Sequence, residues 1–190
     1  EAVPDTTETS SKRVKIAFDI NQVANATYQL NHKLKVTTKL IEHLPIEFYE
    51  RLDLNVWLMS PPCQPFTRGG NQRDHEDERS AGLLYLIKVL AQMSNPPKFI
   101  FLENVLNFEK SECRRLLVEA LRERGYVFEE YLVSPMDLLI PNDRLRYYLI
   151  ARLGVDGAST GEAEIITSFS QIYNNSQMEQ LQTAKRQIQD

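Results

Sequence analysis

At 190 residues with 42% apolar side chains, the chain can bury one domain-sized core, and 25% charged residues keep most of it out of the disordered class. A formal charge of −4, from 22 Lys and Arg against 26 Asp and Glu, excludes a broad basic surface, so any nucleic-acid contact must come from a local patch or another part of the protein. Two cysteines without Cys-x-x-Cys spacing, three scattered histidines and no apolar run near the roughly 20 residues of a membrane span argue against a disulfide scaffold, a metal site and a membrane protein, and for an intracellular setting in cytoplasm or nucleus.

In chain order, residues 1–11 are rich in Ser, Thr and acids and read as a flexible lead-in. Val14 to Phe18 reads as a strand, and Asn21 as the cap of a helix carrying Val23, Ala24, Thr27 and Tyr28. Val36 to Leu40 reads as a short strand, and Pro45 to Leu52 as a short helix opened by proline. Val56 to Met59 is a buried-type strand stopped by Pro61-Pro62, because proline cannot donate to a central ladder. Gly69-Gly70 and the polar run Asn71 to Arg79 form a long loop, after which Ser80 starts a helix with Leu83, Leu84, Ile87 and Leu90 on one face.

Phe99 to Leu102 is a second buried strand, ending at Glu103-Asn104. A helix from Ser111 to Arg124 stops at Gly125, and strands follow at Tyr126 to Val133 and Arg146 to Arg152. Cys113 falls within that helix as a small packing residue. From Gly154 the chain turns polar and rich in Gln, Asn and Ser, with no clear domain. Strands alternating with helices predict an α/β fold with a mostly parallel sheet. Ligands of such sheets sit at the carboxyl ends of strands, so Asp19, Ser60 to Gln64 and Glu103-Asn104 are expected on one rim.

Three segments carry chemistry. In Met59-Ser60-Pro61-Pro62-Cys63-Gln64-Pro65, a strand end and flanking prolines hold a thiol stiffly, either as a positioned nucleophile or as an incidental cysteine in a rigid turn. Glu103-Asn104-Val105 puts a carboxylate at the end of a buried strand, where it acts on a ligand or serves as a cap or ion-pair partner. Pro141-Asn142-Asp143-Arg144-Leu145-Arg146 places two arginines at i and i+2, on the same side of an extended segment or simply on a solvated edge.

In this order and spacing, the segments resemble the Pro-Cys, Glu-Asn-Val and (Gln/Asn)-x-Arg-x-Arg motifs of the cytosine-5 methyltransferases. Met-Ser-Pro-Pro-Cys-Gln-Pro-Phe-Thr-Arg, Leu-Glu-Asn-Val, Pro-Asn-x-Arg-Leu-Arg-Tyr and Asp-Ile-Asn-x-Val-Ala-Asn are most similar to the tRNA-aspartate branch, historically grouped with DNA methyltransferases. The likeness runs from about Val14 to Arg152. It implies a Rossmann-like S-adenosylmethionine-dependent methyltransferase sheet with helices on both faces. It also implies methyl transfer to C5 of cytosine, in the anticodon loop of a tRNA or alternatively in DNA.

By the same resemblance, Cys63 attacks C6, Glu103 holds N3 and the exocyclic amine, Arg146 contacts the cytosine O2, and Arg144 supports the site and backbone phosphates. Asp19 binds the ribose of the cofactor, Ile20 packs on its adenine, Ile41-Glu42 matches the next adenine-contacting segment, and Ser60 lies near the methionine moiety. Residues 64–79, with Arg68, Arg73 and Arg79, are the expected lid over the target base.

The sequence departs from the family pattern in three ways. No glycine precedes Gly69, so the family's first strand and glycine-rich cofactor loop are not found, nor are its C-terminal return segment and the Cys-Phe-Thr of the tRNA branch. The expectation is a partial catalytic domain over 12–153, with 154–190 as the start of a target-recognition region. Weak cofactor binding by this chain alone, unpaired strand edges and an exposed apolar stripe follow. An amino-group methyltransferase would end its Pro-Pro turn in an aromatic residue rather than Cys63, and a catalytically dead interaction module would have no need of the intact Cys63, Glu103, Arg144 and Arg146 set.

Overall fold

The computed structural model describes residues 14–62, 80–138, 140–154 and 165–167. Its elements are α1 (Gln22–His32), α2 (Ile46–Leu52), β1 (Val56–Met59), α3 (Ala81–Gln92), β2 (Phe99–Val105), α4 (Glu112–Glu123), β3 (Tyr126–Val133) and β4 (Arg146–Leu153). The helix signals act as expected. The Asn21 side chain accepts from the backbone N–H groups of Val23 and Ala24, Ser111 caps α4 through Arg114 N, and Gly125 leaves α4 at φ 76°.

The four strands form one sheet in the order β1-β2-β4-β3. β1 and β2 pair in parallel, whereas β4 runs antiparallel to both β2 and β3. β1, β2 and β3 therefore share one direction and β4 opposes them, so the sheet is mixed rather than mostly parallel. The cause is the connection: helix α4 carries the crossover from β2 to β3, but the described residues between β3 and β4 form no α-helix, and the chain returns directly beside β3. The reversal also puts the start of β4 next to the end of β2, with Arg146 opposite Val105.

Period-2 alternation sorts the sheet into two faces. Trp57, Ile100, Leu102, Tyr147, Leu149, Ala151, Tyr126 and Phe128 are buried in one core with Leu83 and Leu90 of α3 and Leu117 and Leu121 of α4. Each large apolar side chain so removed from water contributes about 1.5–3 kcal/mol before the entropy cost of ordering it. On the opposite face Val56, Leu58, Phe99 and Ile150 remain exposed, Leu58 at 75%. Among the described residues, the helical layer expected on that second face does not cover it. β1 is an edge strand.

Val14 to Phe18 and Val36 to Leu40 do not form strands of this sheet. They meet in a single parallel bridge between Phe18 and Thr37, with Thr37 N donating to Ala17 O at 2.8 Å and Asp19 N to Thr37 O at 3.2 Å. A lone two-stranded contact is marginal in water, and this one is braced by an edge-to-face contact of Phe18 on Phe48 at 6.4 Å. Within the polar C-terminal stretch, Ile166 bridges to Tyr131, its N–H donating to Glu130 O and its carbonyl accepting from Leu132 N, both at 2.9 Å. Nothing in the composition of that stretch signals the attachment. The lead-in over 1–11 and most of 154–190 lie outside the described residues.

Candidate active site

β2 extends to Val105, so Glu103 and Asn104 stand inside the strand rather than after it. Alternation then sends them to opposite faces: Asn104 is 2% exposed on the helix-covered side, while Glu103 is half-buried on the open side. Glu103 lies opposite Tyr148 in the β2–β4 register, and Arg146 is its diagonal neighbour two residues away. Arg146 Nε approaches Glu103 Oε1 at 3.4 Å, with side-chain exposures of 19% and 28%. Arg146 also donates from Nη1 to the Leu145 carbonyl at 2.9 Å, which steadies the guanidinium.

The parallel β1–β2 pairing sets Met59 beside Leu102, so the residue after β1 arrives at the level of Glu103. Ser60 Oγ donates to Glu103 Oε2 at 2.8 Å. One step along, Asn104 Nδ2 reaches the Pro61 carbonyl at 3.4 Å, and its Oδ1 accepts from Val105 N at 2.8 Å. Ser60, Pro61, Glu103, Asn104 and Arg146 thus converge where β1 and β2 end and β4 begins. A carboxylate held between a hydroxyl and a guanidinium, on an uncovered face, can grip the polar edge of a flat heterocycle.

Of the remaining sequence candidates, Cys63 and the lid over 64–79 lie outside the described residues. Arg144 is exposed and anchored through its backbone, its N–H donating to Ser134 Oγ at 3.0 Å. Asp19 follows the Phe18 bridge; its Oδ1 accepts from Asn21 N at 2.7 Å and its carbonyl accepts from Asn25 Nδ2 at 2.8 Å. Ile20 next to it is 70% exposed. Ile41 and Glu42 sit against the first turn of α3, within about 4 Å of where a Cβ on Gly82 would stand. Ser60 and Arg146 each contact Glu103; among the described residues no hydrogen bond or ion pair links Asp19 or Glu42 to them.

Two features have no counterpart in the roles that the sequence motifs imply. One is Asn104, an amide at a buried strand position, which signals a specific partner. The other is a buried triad behind the site, in which Glu130, 1% exposed, binds Arg114 and the Tyr147 hydroxyl. Its signal was a carboxylate at i+4 on the strand face that carries Tyr126 and Phe128.

A family model described as C-5 cytosine-specific DNA methylase matches residues 7–190. The chain is 44% identical over 142 residues to a tRNA (cytosine(38)-C(5))-methyltransferase of Homo sapiens, covering 74% of this chain and 36% of that protein. It is 41% identical over 141 residues to a protein of the same name from Schizosaccharomyces pombe, covering 74% and 43% respectively. The chain therefore spans well under half the length of these relatives. Among solved structures, the S. pombe Dnmt2 methyltransferase superposes with a TM-score of 0.68 at 37% identity, over 77% of this chain and 44% of that one. Entamoeba histolytica methyltransferase EhMeth gives 0.69 at 35% identity, over 84% and 51%.

Proposed function

Since the chain belongs to the C-5 cytosine-specific DNA methylase family, we propose that it carries the base-binding half of a site that transfers a methyl group from S-adenosylmethionine to C5 of cytosine in RNA. The proposed target is a tRNA anticodon loop, most simply that of an aspartate tRNA. The observation that carries this reading is the grip of Ser60 and Arg146 on Glu103, immediately beside the turn that leads into Cys63.

In this mechanism the Cys63 thiolate forms a bond from Sγ to C6, and the electrons of the C5–C6 double bond become available at C5. Glu103 faces N3, where a proton absorbs the developing charge, and accepts from the exocyclic amine. The Arg146 guanidinium faces O2 and favours thiolate at Cys63. Arg144, exposed on the approach to β4, meets backbone phosphate. Once C5 carries the methyl group, the C5 proton passes to a solvent base, the N3 proton returns to Glu103, and cleavage of the Sγ–C6 bond restores the aromatic ring and the free thiol. A base in an RNA loop reaches this open face at a lower unstacking cost than one in a duplex.

S-adenosylmethionine, when bound, supplies the electrophilic methyl group. The residues present fit its nucleoside half: Asp19 is an exposed carboxylate suited to ribose hydroxyls, and Ile20 is an uncovered apolar side chain suited to a purine face. Ile41 and Glu42 would flank them, with Ser60 nearer the methionine end. With no glycine before Gly69, this reading expects weak cofactor binding by the chain alone. Calorimetric titration checks that point, and tight one-to-one binding would contradict it.

The test of the function is a covalent trap. RNA carrying 5-fluorocytosine should form an adduct that survives denaturation and disappears in Cys63→Ala. No adduct under any condition would leave an interaction module as the better account. Running methyl transfer on tRNA and on duplex DNA in parallel separates the substrates, since a Dictyostelium discoideum relative at 41% identity over 139 residues is named a DNA (cytosine-5)-methyltransferase. Preference for the duplex would overturn the RNA assignment.

A further inference from the structure

We propose that Ser60 is a positioning residue for Glu103, fixing the plane of its carboxylate, rather than a contact of the cofactor. This inference rests on the methyl-transfer reading and deepens it. The argument begins with the torsion. The last side-chain rotation of a glutamate joins an sp3 to an sp2 carbon, and its energy is broad and nearly two-fold. Arg146 Nε touches only Oε1, at 3.4 Å. One contact of that length leaves the carboxylate free to swivel about its own bond. The Ser60 hydroxyl supplies a second point, donating to Oε2 at 2.8 Å. One hydrogen bond on Oε2 and one cation beside Oε1 define the plane.

The consequence for a bound pyrimidine is a matter of counting lone pairs. An ionised carboxylate offers about four acceptor positions. Ser60 uses one on Oε2 and the Arg146 cation flanks Oε1, which leaves a position on each oxygen for the ring edge. The edge of cytosine presents an amine hydrogen beside N3, so once a proton lies between N3 and the carboxylate, the pair needs both oxygens in the ring plane together. The backbone reinforces the geometry, because Ser60 follows a strand in register with β2, and Pro61 next to it is held by Asn104. Ser60 is itself exposed, so removing its hydroxyl leaves the core untouched.

The experiment compares Ser60→Ala and Ser60→Thr with the unaltered protein. If Ser60 aims Glu103, Ser60→Ala lowers kcat about 10-fold or more while KM for S-adenosylmethionine stays put, and Ser60→Thr recovers most of the loss. In a Glu103→Gln background, Ser60→Ala has little further effect, because the two act as one unit. A raised KM for the cofactor with unchanged kcat would make Ser60 a cofactor contact and overturn the proposal.

A second measurement is independent of catalysis. In protein labelled with 13C at glutamate side chains, the Glu103 carboxylate resonance, assigned by its loss in Glu103→Gln, should move in Ser60→Ala and return in Ser60→Thr. A resonance indifferent to Ser60 rejects the proposal even where methyl transfer is active. Should the protein transfer no methyl group and trap no base, the functional reading fails, while this signal still reports whether Ser60 sets the carboxylate.

Discussion

The Arg114 guanidinium and the Glu130 carboxylate meet through two parallel hydrogen bonds, Nε to Oε1 at 2.7 Å and Nη2 to Oε2 at 2.5 Å, with Glu130 fully enclosed. The Tyr147 hydroxyl donates to the same Oε1 at 2.6 Å, so one carboxylate ties α4 and β4 to β3. Its hydrogen bonds to Glu130 hold the Arg114 guanidinium more firmly in its charged form than in water. Glu130→Ala should destabilise the fold by about 3–5 kcal/mol, because it leaves a partly buried cation and a buried hydroxyl without their partner. A urea titration would register this as a lower midpoint at unchanged slope. A loss below about 1 kcal/mol would mean that water replaces the carboxylate at little cost.

The buried tyrosines predict an alkaline limit. Burial pushes Tyr49 and Tyr126 from the ordinary 10.0 up to about 12, and Tyr147 further, with the Glu130 charge adding to the effect of burial. A phenol whose folded pKa lies above its unfolded value adds stability that is complete below the unfolded pKa and is lost as pH climbs toward the folded one. Stability should therefore hold steady up to about pH 10 and fall between about pH 10 and 12. Tyr126→Phe should flatten part of that fall, at the expense of the hydrogen bond from its hydroxyl to Pro97 O. Denaturant midpoints measured across this range would show it; an unchanged slope in the variant would contradict the assignment.

Asn104 couples the two strand ends of the site. Asn104→Ala removes the donor to Pro61 O and the acceptor for Val105 N from a position that is 2% exposed. The expected cost is about 1–3 kcal/mol. Asn104→Asp should be worse than alanine, since it buries a charge against the Pro61 carbonyl. Chemical denaturation of the two variants side by side decides the order.

Ser111 is the most economical local test. Its hydroxyl accepts from Arg114 N at 3.0 Å and donates to Phe108 O at 2.7 Å. Ser111→Ala should cost about 1 kcal/mol, and Ser111→Asp should keep the cap while losing the donor. Equal stability of all three proteins would show that the cap carries no weight.

What the sequence disclosed follows from the reach of its signals. Asn21, Ser111 and Gly125 act within one helical turn, so the ends of α1 and α4 were readable from neighbours alone. The apolar runs of β1 and β2 were equally plain. The direction of β4 was not, because strand sense depends on how residues 134–145 travel, and that stretch carries no periodic pattern. Val14 to Phe18 has a strand's composition, but pairing is settled by neighbours in space, and its described partner is Thr37 alone. At the site, motif order was enough to name Glu103 and Arg146, whose side chains lie 3.4 Å apart in the fold. The hydrogen bond from Ser60 to Glu103 was not legible, since a serine after a strand looks the same whether it faces a cofactor or a carboxylate.

The reversed course of β4 also orders events in time. Ser60 and Glu103 are 43 positions apart along the chain, and Arg146 joins them only when β4 zips against β2. Such distant partners must each overcome the entropy of closing a long loop before any contact repays it. The expected order is local helices such as α4 before the contacts on Glu103. A nascent or half-folded chain thus carries Ser60, Glu103 and Arg146 apart, and brings them together only on completing its sheet.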